Sequence, residues 1–123
     1  MNNPLLSDAN HLPVEAHDWG TLQWLASAAL LPGCAQTLGL CRLFAGKGNP
    51  PHYHPHCEEL LHVLSGQGSH RLGGEWVAVG PGSTIRIPAG MKHQLLNPGD
   101  ETLVCVIAFS SGARQTVFLA FDE

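Results

Sequence analysis

The chain has 123 residues and a net charge of −4, with six Lys and Arg against ten Asp and Glu. The cations are scattered, which argues against a nucleic-acid partner, because neutralising phosphates needs a basic face. The longest apolar run, residues 22–31, is broken by Gln23 and Ser27 and is too short to cross a bilayer, so no membrane role is expected.

A chain of this length makes one domain whose core needs no disulfide staples. Residues 1–18 carry Pro4, Pro13 and three Asn with little periodicity, and read as an N-terminal arm on a barrel domain of residues 19–123. The opening MNNPLLSDANHLP lacks the positive and apolar regions of a secretory signal, so a cytoplasmic location is expected. Leu22 to Leu31 has enough Ala for a helix, ended by Pro32-Gly33. From Gln36 to Phe44 the pattern turns to strand, with Leu38, Leu40, Arg42 and Phe44 on one face.

Gly46 to Gly66 then crowds His52, His54, His56, His62, Glu58 and Glu59 into a chain that is otherwise poor in charge. Imidazoles and carboxylates gathered beside an apolar run suit first-row divalent ions. In an extended strand His52 and His54 share a face, with Tyr53 on the other. Glu59 lies five positions beyond His54, an odd separation that would put it on the wrong face of an unbroken strand. Pro55 breaks the strand, and a bulge or turn over 55–58 lets the register restart with Glu59, Leu61 and Val63 inward. His52, His54 and Glu59 thereby converge on one ion. His56 offers a competing H-x-H pair with His54, but only the His52 pairing leaves a four-residue gap to Glu59. His62 falls on the opposite face, Glu58 reads as solvated, and His11, His17 and His70 have no partner at ligand spacing and are expected on the surface.

Gly66 to Leu72 and Trp76 to Val79 read as strands joined by a Gly73-Gly74 hairpin turn. Residues 82–97 give a short β-branched strand, a Pro/Gly turn and a second strand carrying His93, the fourth candidate ligand. Asn97-Pro98-Gly99-Asp100 is a further turn, followed by an apolar strand over 102–109 and a last one over Val117 to Phe121. Many short strands with Gly/Pro punctuation imply an all-β barrel or sandwich. Arg86, alternating with Ile85 and Ile87, is a candidate to hold a substrate carboxylate if its strand turns at the barrel mouth. Gln94 and Met91 are candidates to flank the metal, and Phe44 and Trp76 to wall a pocket. The four Cys show no C-x-x-C spacing and read as free thiols in a reducing compartment.

Taken together these residues resemble the two motifs of the cupin superfamily. G-x5-H-x-H-x4-E-x6-G is matched by Gly46, His52, His54, Glu59 and Gly66, and G-x5-P-x-G-x2-H-x3-N by Gly82, Pro88, Gly90, His93 and Asn97, with a fifteen-residue spacer between. Cys57 occupies a spacer position in the first motif. The resemblance implies a single double-stranded β-helix, a jelly-roll barrel, and a homodimer. It implies a divalent transition ion, with Fe, Mn, Ni, Zn and Cu all compatible, held by His52, His54, Glu59 and His93. The activity it implies is that of a metal-dependent enzyme on a small oxygen-rich metabolite, an oxygenase such as a dioxygenase, or a decarboxylase, lyase or isomerase. The alternative is a non-catalytic module that binds or senses a small ligand.

Overall fold

The computed structural model describes residues 3–120, so Phe121, expected to end the last strand, lies outside the described residues. The strands are β1 (Glu15–His17), β2 (Gly20–Ala26), β3 (Thr37–Leu43), β4 (His52–Tyr53), β5 (Glu59–Ser65), β6 (Gly68–Leu72), β7 (Glu75–Val79), β8 (Thr84–Ile87), β9 (His93–Leu96), β10 (Leu103–Phe109) and β11 (Val117–Phe118). They form a six-stranded sheet in the order β1-β2-β3-β10-β5-β8 and a five-stranded sheet in the order β11-β4-β9-β6-β7. Among the described residues the strands pair antiparallel throughout, and the result is the expected jelly roll. Among the described residues no helix is long and apolar enough to cross a membrane.

The core lies between the sheets because the central strands alternate. Along β10 Leu103, Cys105, Ile107 and Phe109 are buried while Val104, Val106 and Ala108 are less so, and β3 and β5 repeat the pattern with Cys41, Leu43, Leu61 and Val63. The helix considered for Leu22 to Leu31 does not form. Residues 20–26 are strand β2, because Leu22 and Trp24 pack against the core from one face while Gln23 points the other way. On that outer side Gln23 is covered by the preceding segment, donating from Nε2 to the carbonyls of Ala9 (2.8 Å) and Leu12 (3.3 Å). The end of the expected arm is itself β1, an edge strand paired with β2.

Two motif residues serve the architecture alone. Gly66 turns the chain after β5 at φ +88, and a Cβ there would lie 2.7 Å from the Thr102 carbonyl oxygen, so a side chain is excluded on both counts. Asn97, 1% exposed, donates from Nδ2 to the carbonyls of Leu43 (2.9 Å) and Glu101 (2.7 Å) and accepts from the Gly99 amide at Oδ1 (3.1 Å). Its backbone also pairs with Gly46 and Lys47, tying the start of the first motif to the end of the second. Asn97→Ala strands several buried polar groups and is expected to cost about 3 kcal/mol in urea unfolding. A loss below about 1 kcal/mol would show that the turn closes without this side chain.

Candidate metal centre

The two sheets contribute different donors. β4 and β9 are neighbours in the five-stranded sheet with His52 directly opposite His93, and His54 follows β4 by one residue. Glu59 comes from the six-stranded sheet, opposite Ile87 on one side and Phe109 on the other. Pro55 and His56 form the expected bend, and β5 restarts at Glu59 with its side chain inward. The Pro88 to Gly90 turn delivers His93, and the Gly90 amide donates to the His54 carbonyl (2.8 Å), fixing one motif against the other.

One ligand atom from each of His52, His54, Glu59 and His93 falls within 4.8 Å of the others, a spacing that can hold one metal ion. Backbone carbonyls set the ring chemistry. His52 Nδ1 lies 2.7 Å from the Pro50 oxygen, His54 Nδ1 2.9 Å from the Gln115 oxygen, and His93 Nδ1 2.9 Å from the Met91 oxygen. A carbonyl only accepts, so each Nδ1 carries the proton and each neutral ring presents a lone pair at Nε2. His54 and His93 aim theirs at Glu59 Oε1, 3.2 and 3.3 Å away, and all three atoms are buried without a hydrogen-bond partner. Lone pairs facing a carboxylate oxygen out of water need a cation between them. The residues therefore fit a metal, and a proton on either Nε2 is the only substitute the site contains.

Burial, together with the like charge of His93, holds His52 down at about 4 from 6.5. Burial alone would raise the Glu59 carboxyl, but His54 and His93 bring it to about 2 from 4.5. The thiols of Cys41 and Cys105 face the same interior and are pushed up to about 12, by burial first, with Glu59 adding to it, and neither sulfur belongs to the converging donor set. Cys57 is buried too, but its sulfur is outside the converging set.

These donors open into a cavity of about 200 Å³ whose wall is mainly apolar, built from Trp19, Leu22, Trp24, Ile107, Phe109 and Phe118. Glu15 and His17 of β1 and Phe118 of β11 reach it from the outer strand of each sheet. None of the five candidates Arg86, Gln94, Met91, Phe44 and Trp76 lines it. Arg86 lies on the outer face of β8 and pairs with Glu58 at 2.7 Å, because the alternation that buries Ile85 and Ile87 turns it out. Gln94 is buried behind β9, opposite in direction to His93, and donates to the Asn49 carbonyl (2.9 Å). Phe44 and Trp76 are solvent-exposed, and Met91 packs on the core and reaches the site only through its carbonyl.

Sequence spacing missed three cavity residues. His70, expected on the surface, is 1% exposed, with its ring 5.8 Å from that of His93, nearly parallel to it, and Nδ1 unpartnered. Its alternation with Gly68 and Leu72 about a hairpin was the available signal. His17, also assigned to the surface, is exposed but stacks on Trp19 at 4.6 Å at the cavity mouth. Arg114 carried no signal, since nothing in its local pattern predicts its place in the wall.

With this geometry in view the comparisons are direct. Residues 39–109 match the family profile of the cupin domain. The chain belongs to the cupin family. This cupin is 28% identical over 98 residues to polyketide synthase CurC of Streptomyces cyaneus, covering 80% of this chain and 64% of that protein. It is 34% identical over 99 residues to germin-like protein 3-7 of Oryza sativa subsp. japonica, covering 68% of this chain and 42% of that one. The chain thus spans less than two thirds of the length of either relative. Among solved structures, a variant of Bacillus subtilis oxalate decarboxylase superposes with a TM-score of 0.82 at 20% identity, over 90% of this chain and 31% of that one. Oxalate oxidase in complex with glycolate superposes with a TM-score of 0.82 at 23% identity, over 96% of this chain and 65% of that one.

Two outcomes follow. Glu59→Gln keeps the shape but removes the charge facing the imidazoles, and is expected to weaken zinc binding by more than the roughly 10- to 100-fold that loss of a supporting hydrogen bond costs. Competition with a chromophoric chelator measures this, and an unchanged affinity would remove Glu59 from the ligand set. In metal-free protein His52 and His70 both sit near 4, below the ordinary 6.5, so the unfolded chain takes up protons first as pH falls. Stability is then full above about 6.5 and is lost progressively down to about 4, with Glu59 extending the loss toward about 2. Denaturant midpoints at pH 7, 5.5 and 4 test the sign, and a flat profile contradicts it.

Proposed function

We propose that this cupin is a metal-dependent enzyme acting on a small, oxygen-rich metabolite, with a divalent Fe, Mn, Ni, Zn or Cu ion held by His52, His54, Glu59 and His93. The observation that carries the reading is the set of unpaired, buried donor atoms opening into a solvent-connected cavity. Four protein donors leave room in a six-ligand shell for an incoming molecule. When bound, such an ion supplies Lewis acidity and, if redox-active, the means to use dioxygen.

The chain's own residues supply the rest. The carbonyls of Pro50, Gln115 and Met91 keep three imidazoles in the ligating tautomer, Glu59 brings the negative charge, and the apolar wall excludes bulk water from the reacting molecule. The chemistry we assign is oxygenase-type, dioxygenase included, or a redox-neutral decarboxylase, lyase or isomerase reaction. The similarity in fold to oxalate decarboxylase and oxalate oxidase supports a small acid as the kind of molecule handled. The same proposal includes an arm of residues 1–18 on a barrel of residues 19–123, a homodimer and a cytoplasmic location. Exposed Leu38, Leu60 and Leu64 on the outer face of β3 and β5 support the dimer, and four free thiols support a reducing compartment.

Protein purified without a metal-affinity tag is expected to carry about one transition ion per chain, and a fourfold variant, His52→Ala with His54→Ala, Glu59→Ala and His93→Ala, none. Oxygen uptake across catechols, diketones and hydroxy acids then separates oxygenase from redox-neutral turnover. Ligand-dependent melting without turnover of any of them marks a binding module instead. A native protein with no more metal than the fourfold variant ends the proposal.

A further inference from the structure

Among the described residues, Arg114 is the one Lys or Arg that lines the cavity. It is half-buried, with its guanidinium carbon 3.8 Å above the Trp24 ring and 5.4 Å from the Phe109 ring centre. Of its five N–H groups one is used, Nη1 donating to Thr116 Oγ1 at 2.8 Å. No carboxylate pairs with it among the described residues, although Arg86 on the outer face has Glu58. Glu15 is near enough to act on its charge, but its oxygens are engaged elsewhere, Oε1 by Trp24 Nε1 at 3.1 Å and Oε2 by His17 Nε2 at 3.3 Å.

A cation partly withdrawn from water recovers some of its lost hydration by stacking on an indole, and the rest from an anion. The charges in the cavity point the same way. A divalent ion beside Glu59 leaves one net positive charge, Arg114 adds a second, and Glu15 at the mouth takes one away, so the cavity stays positive. Arg114 stands close to the site, because Thr116 Oγ1 lies 2.8 Å from Arg114 Nη1 and 3.3 Å from His54 Nδ1, so the guanidinium is one hydroxyl away from the supporting side of the His54 ring, and both side chains line one cavity. Arg114 also borders a more open recess of about 340 Å³ beside Pro13, Leu30 and Gly112, which places it at the edge of the cavity rather than in its floor.

We infer that the cavity selects an anionic substrate with a flat, apolar body, whose carboxylate is gripped by the free edge of Arg114 while oxygens at its other end reach the metal site. The inference rests on the metal-site reading above and narrows its substrate class. Trp24 and Phe109 flank the guanidinium and offer the body of such a molecule an aromatic surface, and the planar fork of arginine matches a carboxylate in a way that lysine does not.

The test uses zinc-loaded protein, which binds without redox turnover, and two probes that share a ring and an oxygen pair, 3,4-dihydroxybenzoate and the uncharged 3,4-dihydroxybenzamide. By calorimetry native protein is expected to bind the carboxylate at least about tenfold more tightly than the amide, the value of one charge-assisted hydrogen bond. Arg114→Gln is expected to lower affinity for the carboxylate by about 10- to 100-fold while leaving the amide within about twofold, and Arg114→Lys to fall between. Equal binding of both probes to native protein overturns the inference alone, and needs no variant to fold. Equal weakening of both by Arg114→Gln also overturns it, because it assigns Arg114 to the wall and not to the anion. Failure of both probes to bind native zinc-loaded protein overturns the metal-site reading with it.

Discussion

The structure depends on one confrontation. Imidazole nitrogens from His52 and His93 of the five-stranded sheet and from His54 just past β4 meet one carboxylate oxygen from the six-stranded sheet in the space between the sheets, where no other side chain pairs with them among the described residues. Like-signed lone pairs in a medium of low polarity repel, and the geometry persists because each ring is clamped from behind by a backbone carbonyl. Those carbonyls belong to turns and loops rather than to strand ladders, so the loops act as second supports of the site. Asn97 serves the same end at a distance, since it closes the turn after β9 and ties it to the segment leading into β4.

The cavity is made by the ends of the chain. β1 and β11 are the outer strands of their sheets, and they bring Glu15, His17 and Phe118 to the mouth. Segment 114–116 links that mouth to the centre, because Gln115 holds His54 through its carbonyl while Arg114 looks into the cavity beside Trp24. The motif strands thus fix what the site binds, whereas the flanking strands decide what may approach it. Relatives that share the motifs can for this reason differ in substrate, and a common fold does not carry a common reaction.

Much of this was legible from spacing. The alternation of β3, β5 and β10, the break at Pro55, the Gly73-Gly74 hairpin and the four ligands all follow from the period of an extended chain and from the backbone limits of Pro and Gly. The apolar run after Trp19 was ambiguous because Ala, Leu and Gln suit a helix, and the choice of strand came from pairing with β3, whose residues lie beyond the reach of any helical turn in the sequence. Gln94 was placed at the site by its nearness in sequence to His93, and Arg86 by a turn of its strand at the barrel mouth, but neighbours along a strand point to opposite faces.

The order of residue types along the chain by itself determined the strand content, the turns and the identity of the four donors, because each depends on local geometry that a few neighbouring residues impose. Only the folded barrel decided that His70 lies beside His93 in the core and that Arg114 stands unpaired in the cavity wall. Alternation can mark His70 as inward-facing, but which residue it meets there, and the place of Arg114 in the wall, depend on which strand packs across from which, and that is set by the closing of two sheets over a common core, a long-range outcome.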